Sequence, residues 1–414
     1  IKLALCDWEN LKEAIENCIA GINLHKPVTH SFTSLTLFDN PELHLLSSQT
    51  YVATQVPLDK KLGPLSKREP RERVRIGYYS ADLYYHPVSI WLAEQLENHD
   101  KSKVELYAFC LKSVQDPMRD RLEAAFDHWI DVESMSDLEV AKLSRELEID
   151  IAIDLNGHTA DGRTAIFAAR AAPIQLNHLG FPGSMGAEYI DYMVGHTPSP
   201  DEDLEEVQRN RQFITEKIAY VPSSFTYDRQ RQLSDEPLTR AQFGLPETGF
   251  VFTCQNGCQK LLPEVFDIWM EILKAVPGSV LLLYTDIQSA LENLKLEAEK
   301  RGVSGDRLIF GGMLKRREYL ARCKSADLFL DTLPYNAGAT ASDALWAGLP
   351  VVTKAGQQFA ARVAASLLSA LELPELITET EDEYEALIFE LATNPGKLEG
   401  IKDKLMKKCI TSPL

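Results

Sequence analysis

The 414-residue chain contains no nucleophile elbow GxSxG, no phosphate loop GxxxxGK[ST] and no dinucleotide turn GxGxxG. Serine hydrolases, P-loop enzymes and dinucleotide dehydrogenases therefore lose their usual sequence carriers. Positive charge is also scarce: 43 Lys plus Arg against 61 Asp plus Glu leave a formal net charge of -18. Such a surface repels phosphate backbones and anionic lipid, so nucleic acid is not an expected partner. No apolar run approaches the ~18 residues of a membrane span, and the opening residues, IKLALCDWENLKE, carry neither a basic segment nor a cleavage site. The cysteines (Cys6, Cys18, Cys110, Cys254, Cys258, Cys323 and Cys409) are odd in number and scattered, with no CxxC pair and no histidine at zinc-ligand spacing. A soluble cytoplasmic protein with no bound metal is the expectation.

What is present is a globular composition, 45% hydrophobic and 25% charged, in a chain long enough for two domains and an extension at roughly 150 residues each. Residues 1–70 read as a small helical extension: Leu11, Ile15, Cys18, Ile19 and Ile22 recur at helical spacing, and Asn40-Pro41-Glu42 resembles a helix start. Residues 71–235 then alternate between strand and helix, with strands expected at 74–79, 104–110, 129–132, 149–155, 174–179, 191–195 and 218–222 and helices at 87–97, 117–126, 136–147 and 162–170. Residues 236–414 repeat the pattern, with strands at 250–254, 279–284, 307–310, 327–331 and 350–353. Alternation at these lengths demands parallel strands with crossover helices, hence an α/β fold of two Rossmann-like units with ligands expected at the carboxyl ends of their strands.

The densest chemical signal is LDTLPYNAGATASDALWAGLP, from Leu330 to Pro350. A strand ends, small residues follow, and a helix starts near Thr340, so backbone N–H groups at a positive helix end are available to a diphosphate. Thr340 and Asp343 also have the spacing of a capping box, which needs no ligand, and both readings stand open on these residues. Lys260 follows a second strand end, where it could neutralise a departing phosphate or be a solvated surface lysine. In the first unit His86 opens a helix just past VRIGYYSADL, Asn156-Gly157-His158 turns out of another strand, and Pro182-Gly183 lies in a third loop, GFPGSMG. Several strand tips carrying His, Asn and Gly on one edge are stronger evidence of a site than one histidine. Asp201-Glu202-Asp203 imitates the metal-holding Asp-x-Asp of some sugar transferases, but it lies in a Pro-flanked acidic loop and reads as solvated.

These motifs together, from LCDW at Leu5 through RIGYYSADLYYHPVS, DLNGHTADGR, APIQLNHLGFPGSMG, EKIAYVPSSF and DLFLDTLPYNAGATASDALWAGLPVVT to RVAAS at Arg362, resemble the catalytic region of the O-linked N-acetylglucosamine transferase and SPINDLY family over nearly the whole chain. The resemblance implies a GT-B fold and an inverting, metal-independent transfer from a nucleotide diphosphate sugar to Ser/Thr hydroxyls of a protein or peptide acceptor. UDP-N-acetylglucosamine is the first donor it suggests and GDP-fucose the second; no other cofactor is expected. It also implies that Lys260 contacts the diphosphate, that Gly338, Ala339 and Thr340 cradle it, that Asp343 holds the ribose and that Arg316 and Tyr319 lie by the base. His86 and His158 are implied as catalytic-cleft groups, with Asn156, Gly157, Pro182 and Gly183 on the acceptor side. Three departures fall on the donor side: Ala339-Thr340 in place of paired threonines, Tyr319 in place of a histidine, and Gly257-Cys258-Gln259 in place of a bulkier run. They leave open a nucleotide-sugar-binding module with little transfer, and a small-molecule transferase of the same fold is a third reading. A tetratricopeptide region preceding LCDW is a further expectation from the family.

Overall fold

The computed structural model describes residues 1–66, 69, 71–196, 210–221, 228, 230–231 and 238–411. Asp201-Glu202-Asp203 lies outside them. Two compact units result, one of residues 1–16, 35–39 and 230–414, the other of residues 17–34 and 40–229. The helices expected at the N-terminus are present as Leu11–Asn23, Ser31–Leu37 and Pro41–Gln55, and their residues divide between the two units. Their apolar side chains are absorbed by the two units: Trp8 packs edge-on against Phe266 at 5.3 Å, and Tyr51 against His158 at 4.8 Å.

The unit of residues 17–34 and 40–229 contains strands β1 (Val74–Ser80), β2 (Val104–Cys110), β3 (His128–Asp131), β4 (Ile151–Asp154), β5 (Ile174–Asn177), β6 (Tyr192–His196) and β7 (Lys217–Val221). They pair in the order β3-β2-β1-β4-β5-β6-β7, all parallel. The other unit contains β8 (Val251–Cys254), β9 (Val280–Tyr284), β10 (Leu308–Gly311), β11 (Leu328–Leu330), β12 (Val351–Lys354) and β13 (Ile377–Thr378), ordered β10-β9-β8-β11-β12-β13 and again parallel. Helices on both faces bury such strands, which is why they read as continuous apolar runs. Leu106, Ala108 and Leu155 are fully buried with Leu92 and Leu96 in one core, and Val251, Phe252, Leu281, Leu328 and Phe329 in the other.

Local chemistry sets several helix starts. Asn40 accepts from Leu43 N at 3.0 Å with Pro41 in the first turn, and Asp116 accepts from Arg119 N at 2.8 Å ahead of Pro117. Ser136 with Glu139, and Thr380 with Glu383, form capping boxes. Two expectations change. The helix anticipated at 162–170 shrinks to Ala165–Ala168, bounded by left-handed Asp161 and Arg170. Arg163, just before it, is turned aside to bond Asp137 and the carbonyls of Val132 and Met135. Beyond residue 353, where little was legible, lie the helices Val363–Ala370, Glu381–Thr393 and Pro395–Thr411 and the two-residue β13. Among the described residues no helix is long and apolar enough to cross a membrane.

In each sheet the strand order reverses at one place, between β1 and β4 in the first and between β8 and β11 in the second. Adjacent loops there leave in opposite directions and open a crevice at the strand tips. The predicted site residues fall around these two crevices.

Candidate functional site

At the second switch point, the loop after β8 faces the loop after β11. A hydrogen-bond relay joins them: Thr340 Oγ1 donates to Asn256 Oδ1, Asn256 Nδ2 to Thr332 Oγ1 at 2.7 Å, and Thr332 Oγ1 to Tyr335 O at 2.7 Å. Asp331, fully buried at the end of β11, holds the loop from within by accepting from Thr332 N at 2.8 Å, Ala337 N at 2.6 Å and Thr353 Oγ1 at 2.6 Å. Burial pushes its carboxyl well above the usual range. Lys260 Nζ donates to Asn336 O at 2.9 Å and sits 3.7 Å from the centre of the Tyr335 ring. Burial pushes this ammonium below the usual lysine range, with nearby Asp331 opposing. A carbonyl and an aromatic face orient the charge without neutralising it.

The loop runs into the helix Ala339–Trp346, whose N-cap is Gly338 and whose start carries no side-chain cap. The capping-box alternative for Thr340 and Asp343 is therefore not realised. Ser342 N to Gly338 O, at 2.9 Å, is the first helical bond, so the amides of Ala339, Thr340 and Ala341 precede the ladder beside a half-exposed surface. Asp343 faces inward instead: its buried carboxylate accepts from Arg231 Nη1 at 2.9 Å and from both terminal nitrogens of Arg316. Arg231 also bonds Ser342 at 2.9 Å and stacks over Trp346 at 4.7 Å. The expected ribose carboxylate is thus the centre of an ion triad, and Arg316 is its partner.

Tyr319 has a buried hydroxyl without a hydrogen-bond partner, and burial raises its pKa well above the ordinary phenol value. Its ring lies 5.9 Å from the Arg316 guanidinium and 5.7 Å from that of Arg322. Arg322 was not singled out in the sequence, nor were Arg231, Asn256 and Asp331. It is buried, bonds Gly312 O and Gln255 Oε1 at 2.8 Å each, and leaves Nε without a partner. Asn256 and Asp331 could have been found by their positions just past apolar strands; nothing in the sequence joins Arg231 to Asp343, 112 residues away.

At the first switch point Asn156 crosslinks the two strand tips. Its Oδ1 accepts from Ala81 N at 2.8 Å and its Nδ2 donates to Asp82 Oδ2 at 2.7 Å. Asp82 lies 3.7 Å from His86 Nδ1, which accepts from Val88 N at 3.4 Å as the N-cap of the helix Pro87–Glu97. Burial raises the Asp82 carboxyl and lowers the His86 imidazole, each opposed by the other's charge. His86 keeps 36% of its side chain exposed. His158, in contrast, is 1% exposed, with Nε2 2.9 Å from Met185 O and its ring between Tyr51 and Phe181 at 4.8 and 5.0 Å. Burial pushes its pKa down to about 4. It is a packed imidazole at the base of the loop, where His86 stays partly open to solvent.

Gly157 has φ +57°, and a Cβ there would lie 2.7 Å from Phe181 Cβ, so only glycine fits the turn. The Pro182-Gly183 segment is half-exposed. Behind it, buried Glu216 accepts from Ser184 Oγ at 2.7 Å and Met185 N at 2.6 Å, fixing the loop from below. Asp154, at the end of β4, accepts from Asn156 N and Gly157 N at 3.0 and 2.8 Å, and burial pushes its carboxyl up to about 6. Among the described residues no cluster of three or more His, Cys, Asp or Glu could hold a metal ion.

Two doubly wound parallel sheets, each with its polar loops at the switch point, define a protein of GT-B type. The family model for glycosyl transferase family 41 matches residues 61–236 and 229–414, and the chain belongs to that family. It is 32% identical, over 99% of its length and 44% of the relative's, to the probable UDP-N-acetylglucosamine–peptide N-acetylglucosaminyltransferase SEC of Arabidopsis thaliana. It is 27% identical to the Caenorhabditis elegans UDP-N-acetylglucosamine–peptide N-acetylglucosaminyltransferase, over 83% of this chain and 39% of that protein. The chain thus spans about two fifths of the length of these curated relatives. Among solved structures, a mutant of the Thermobaculum terrenum O-GlcNAc transferase superposes with a TM-score of 0.83 at 29% identity, covering 99% of this chain and 78% of that one. Anabaena HepE with UDP and glucose shares the fold at a TM-score of 0.55 and 14% identity, over 82% of this chain and 95% of that chain.

Proposed function

We propose that this chain is the catalytic region of a protein O-glycosyltransferase that moves N-acetylglucosamine from UDP-N-acetylglucosamine to Ser/Thr hydroxyls with inversion and without a metal. The observation that carries this reading is Lys260, an oriented ammonium at the β8 tip, hydrogen-bonded to the loop that leads into the uncapped start of the helix Ala339–Trp346. Charge grows on the leaving diphosphate as the glycosidic bond breaks, and a fixed cation with a helix N-terminus stabilises it there, as a metal would. On this reading residues 236–414 form the donor domain, residues 71–235 the acceptor domain, and Arg316, Tyr319 and Arg322 flank the nucleoside. His86 Nδ1 accepts from Val88 N, which leaves the proton of the neutral ring on Nε2. We therefore assign His86 to donating a hydrogen bond to the acceptor rather than to taking its proton. Seven unpaired cysteines fit a reducing compartment.

The test is thermal unfolding with UDP, GDP and their sugars in the presence of EDTA, followed by transfer to a peptide. Stabilisation by UDP that survives EDTA, with turnover, supports the reading; stabilisation lost with EDTA sinks the metal-free mechanism, and a preference for GDP moves the donor to GDP-fucose. A second reading, a nucleotide-sugar binder with little transfer, is favoured by the enclosure of Asp343 between two guanidinia and by Ala339. Binding without turnover would select it.

A further inference from the structure

Lys260 takes its direction from a loop whose two ends are held by one carboxylate oxygen. Asp331 Oδ1 accepts from Thr332 N at 2.8 Å and from Ala337 N at 2.6 Å, while Oδ2 accepts from Thr353 Oγ1 of β12 at 2.6 Å. The Asp331 carbonyl is pinned as well: Tyr384 Oη donates to it at 2.9 Å, and Trp269 Nε1 donates to Tyr384 Oη at 3.2 Å. Between the closed ends lie the two groups that meet Lys260, the Asn336 carbonyl at 2.9 Å and the Tyr335 ring at 3.7 Å. Asn336 is fixed further by its N–H, which donates to Ala360 O at 3.0 Å, and by Nδ2, which donates to Thr332 O at 3.2 Å. We propose that Asp331 is a positioning residue for sugar transfer, acting through Lys260 by closing residues 332–337 around its ammonium and by holding a buried negative charge at the same crevice. The role rests on the donor-site reading of Lys260.

Loop closure alone asks for less. Asp154, at the end of β4, closes its turn with Oδ1 on Asn156 N and Gly157 N at 3.0 and 2.8 Å, and its Oδ2 is buried without a hydrogen-bond partner. Asp331 is fully buried too, but both its oxygens are bonded and a half-buried lysine is its counter-charge. Burial disfavours both charged forms, lowering the lysine and raising the aspartate, and each charge opposes that effect on the other. The other ionisable groups around the lysine are the Cys254 thiol and the Tyr335 phenol, both of which burial pushes up and keeps neutral. Asp331 is therefore the anion that keeps Lys260 protonated before a diphosphate arrives.

The test is peptide transfer from UDP-N-acetylglucosamine by the whole chain, with kcat/KM followed from about pH 6 to 9, since kcat/KM reports the free enzyme's groups. In Asp331→Asn, which keeps the shape and one acceptor oxygen, kcat/KM relative to the parent should fall about 10-fold across that range, because losing an opposite charge moves a lysine's titration down by about one pH unit or more. In the Lys260→Ala background the same substitution should change turnover by less than about 2-fold, since its route is gone. Thr353→Val, which frees Oδ2 from β12 and leaves the charge, should give a pH-independent loss that also vanishes in that background; it carries the cycle if Asp331→Asn does not fold. A ratio for Asp331→Asn that stays flat with pH, or equal losses from either variant with and without Lys260, would make Asp331 a structural tie of the loop and overturn the proposal. A Lys260→Ala chain as fast as the parent overturns the donor-site reading itself, an outcome that these ratios do not mimic.

Discussion

The two switch points use one topological device for opposite electrostatics. At β8/β11 the polar groups are cations: Lys260, Arg231, Arg316 and Arg322 surround two buried acids, Asp331 and Asp343. At β1/β4 the groups are an amide, a carboxyl and imidazoles, with Asn156, Asp82, His86 and His158 in short hydrogen bonds or packed rings. The fold sets where a site can be; side-chain charge decides whether it suits an anion or a neutral hydroxyl. The difference teaches that the cationic crevice stores its charge in buried ion pairs, which make it costly to dismantle, while the neutral crevice stores unprotonated histidines that acid will disturb.

Four experiments strain this contrast, in descending order of expected effect. Asp343→Ala strands Arg231 and Arg316 in the interior and should destabilise the chain by roughly 3–5 kcal/mol, the usual result of breaking a buried pair from one side; a melting temperature within experimental scatter of the parent would show that the triad is dispensable. Lys260→Ala should lower the turnover of transfer by about 100- to 1000-fold, with less effect on UDP affinity, because the charge it meets is largest in the transition state. A change confined to affinity would make the lysine a ground-state contact.

The third experiment is pH. Burial lowers His158 and His178 from 6.5 to about 4, so the unfolded chain binds their protons first and stability is lost as pH falls through that window. Asp154, raised to about 6, works in the opposite direction, gaining stability as pH falls from about 6. Asp331, raised to about 7, works as Asp154 does, so across pH 6 to 4 the two aspartates offset the two histidines. His158→Gln keeps a donor for Met185 O and removes one side of that balance, so relative to the parent it should gain roughly 1.4 kcal/mol of stability per pH unit as pH falls from 6 to 4; a pH dependence identical to the parent's would remove His158 from the account. Last, Ala339→Thr adds a hydroxyl at the half-exposed first position of the helix Ala339–Trp346. It should tighten UDP binding by about 1 kcal/mol, the net value of one hydrogen bond, read by titration calorimetry; no tightening would place the phosphate away from this turn.

Strand tips were legible because apolar runs end abruptly in small and polar residues, as FVFTCQNGCQK and DLFLDTLPYNAGA do. That located Lys260, Thr340, Asn156 and His86 without a structure. The same residues in sequence could not show that Thr340 and Asp343 part ways, one toward Asn256 and the other inward, because the helix is capped at Gly338, two residues before the N-cap their spacing suggested. Nor could they separate His86 from His158: both follow strands, and only the packing of Tyr51 and Phe181 buries the second. β13 was missed because two residues are too short for any periodicity to register.

Local physics, then, is what the sequence determined by itself: parallel α/β architecture from alternating periods, helix starts from Asn40, Asp116, Ser136 and Thr380, and the loops that carry the chemistry. Tertiary structure alone decided which partners those loops acquired. Arg231 reaches Asp343 across 112 residues, Cys6 reaches Cys258 across 252, and Asn256 reaches Thr340 across 84. Pairings of that separation leave no periodic trace along the chain, since they are selected by the burial of whole sheets and helices and not by the propensities of neighbouring residues.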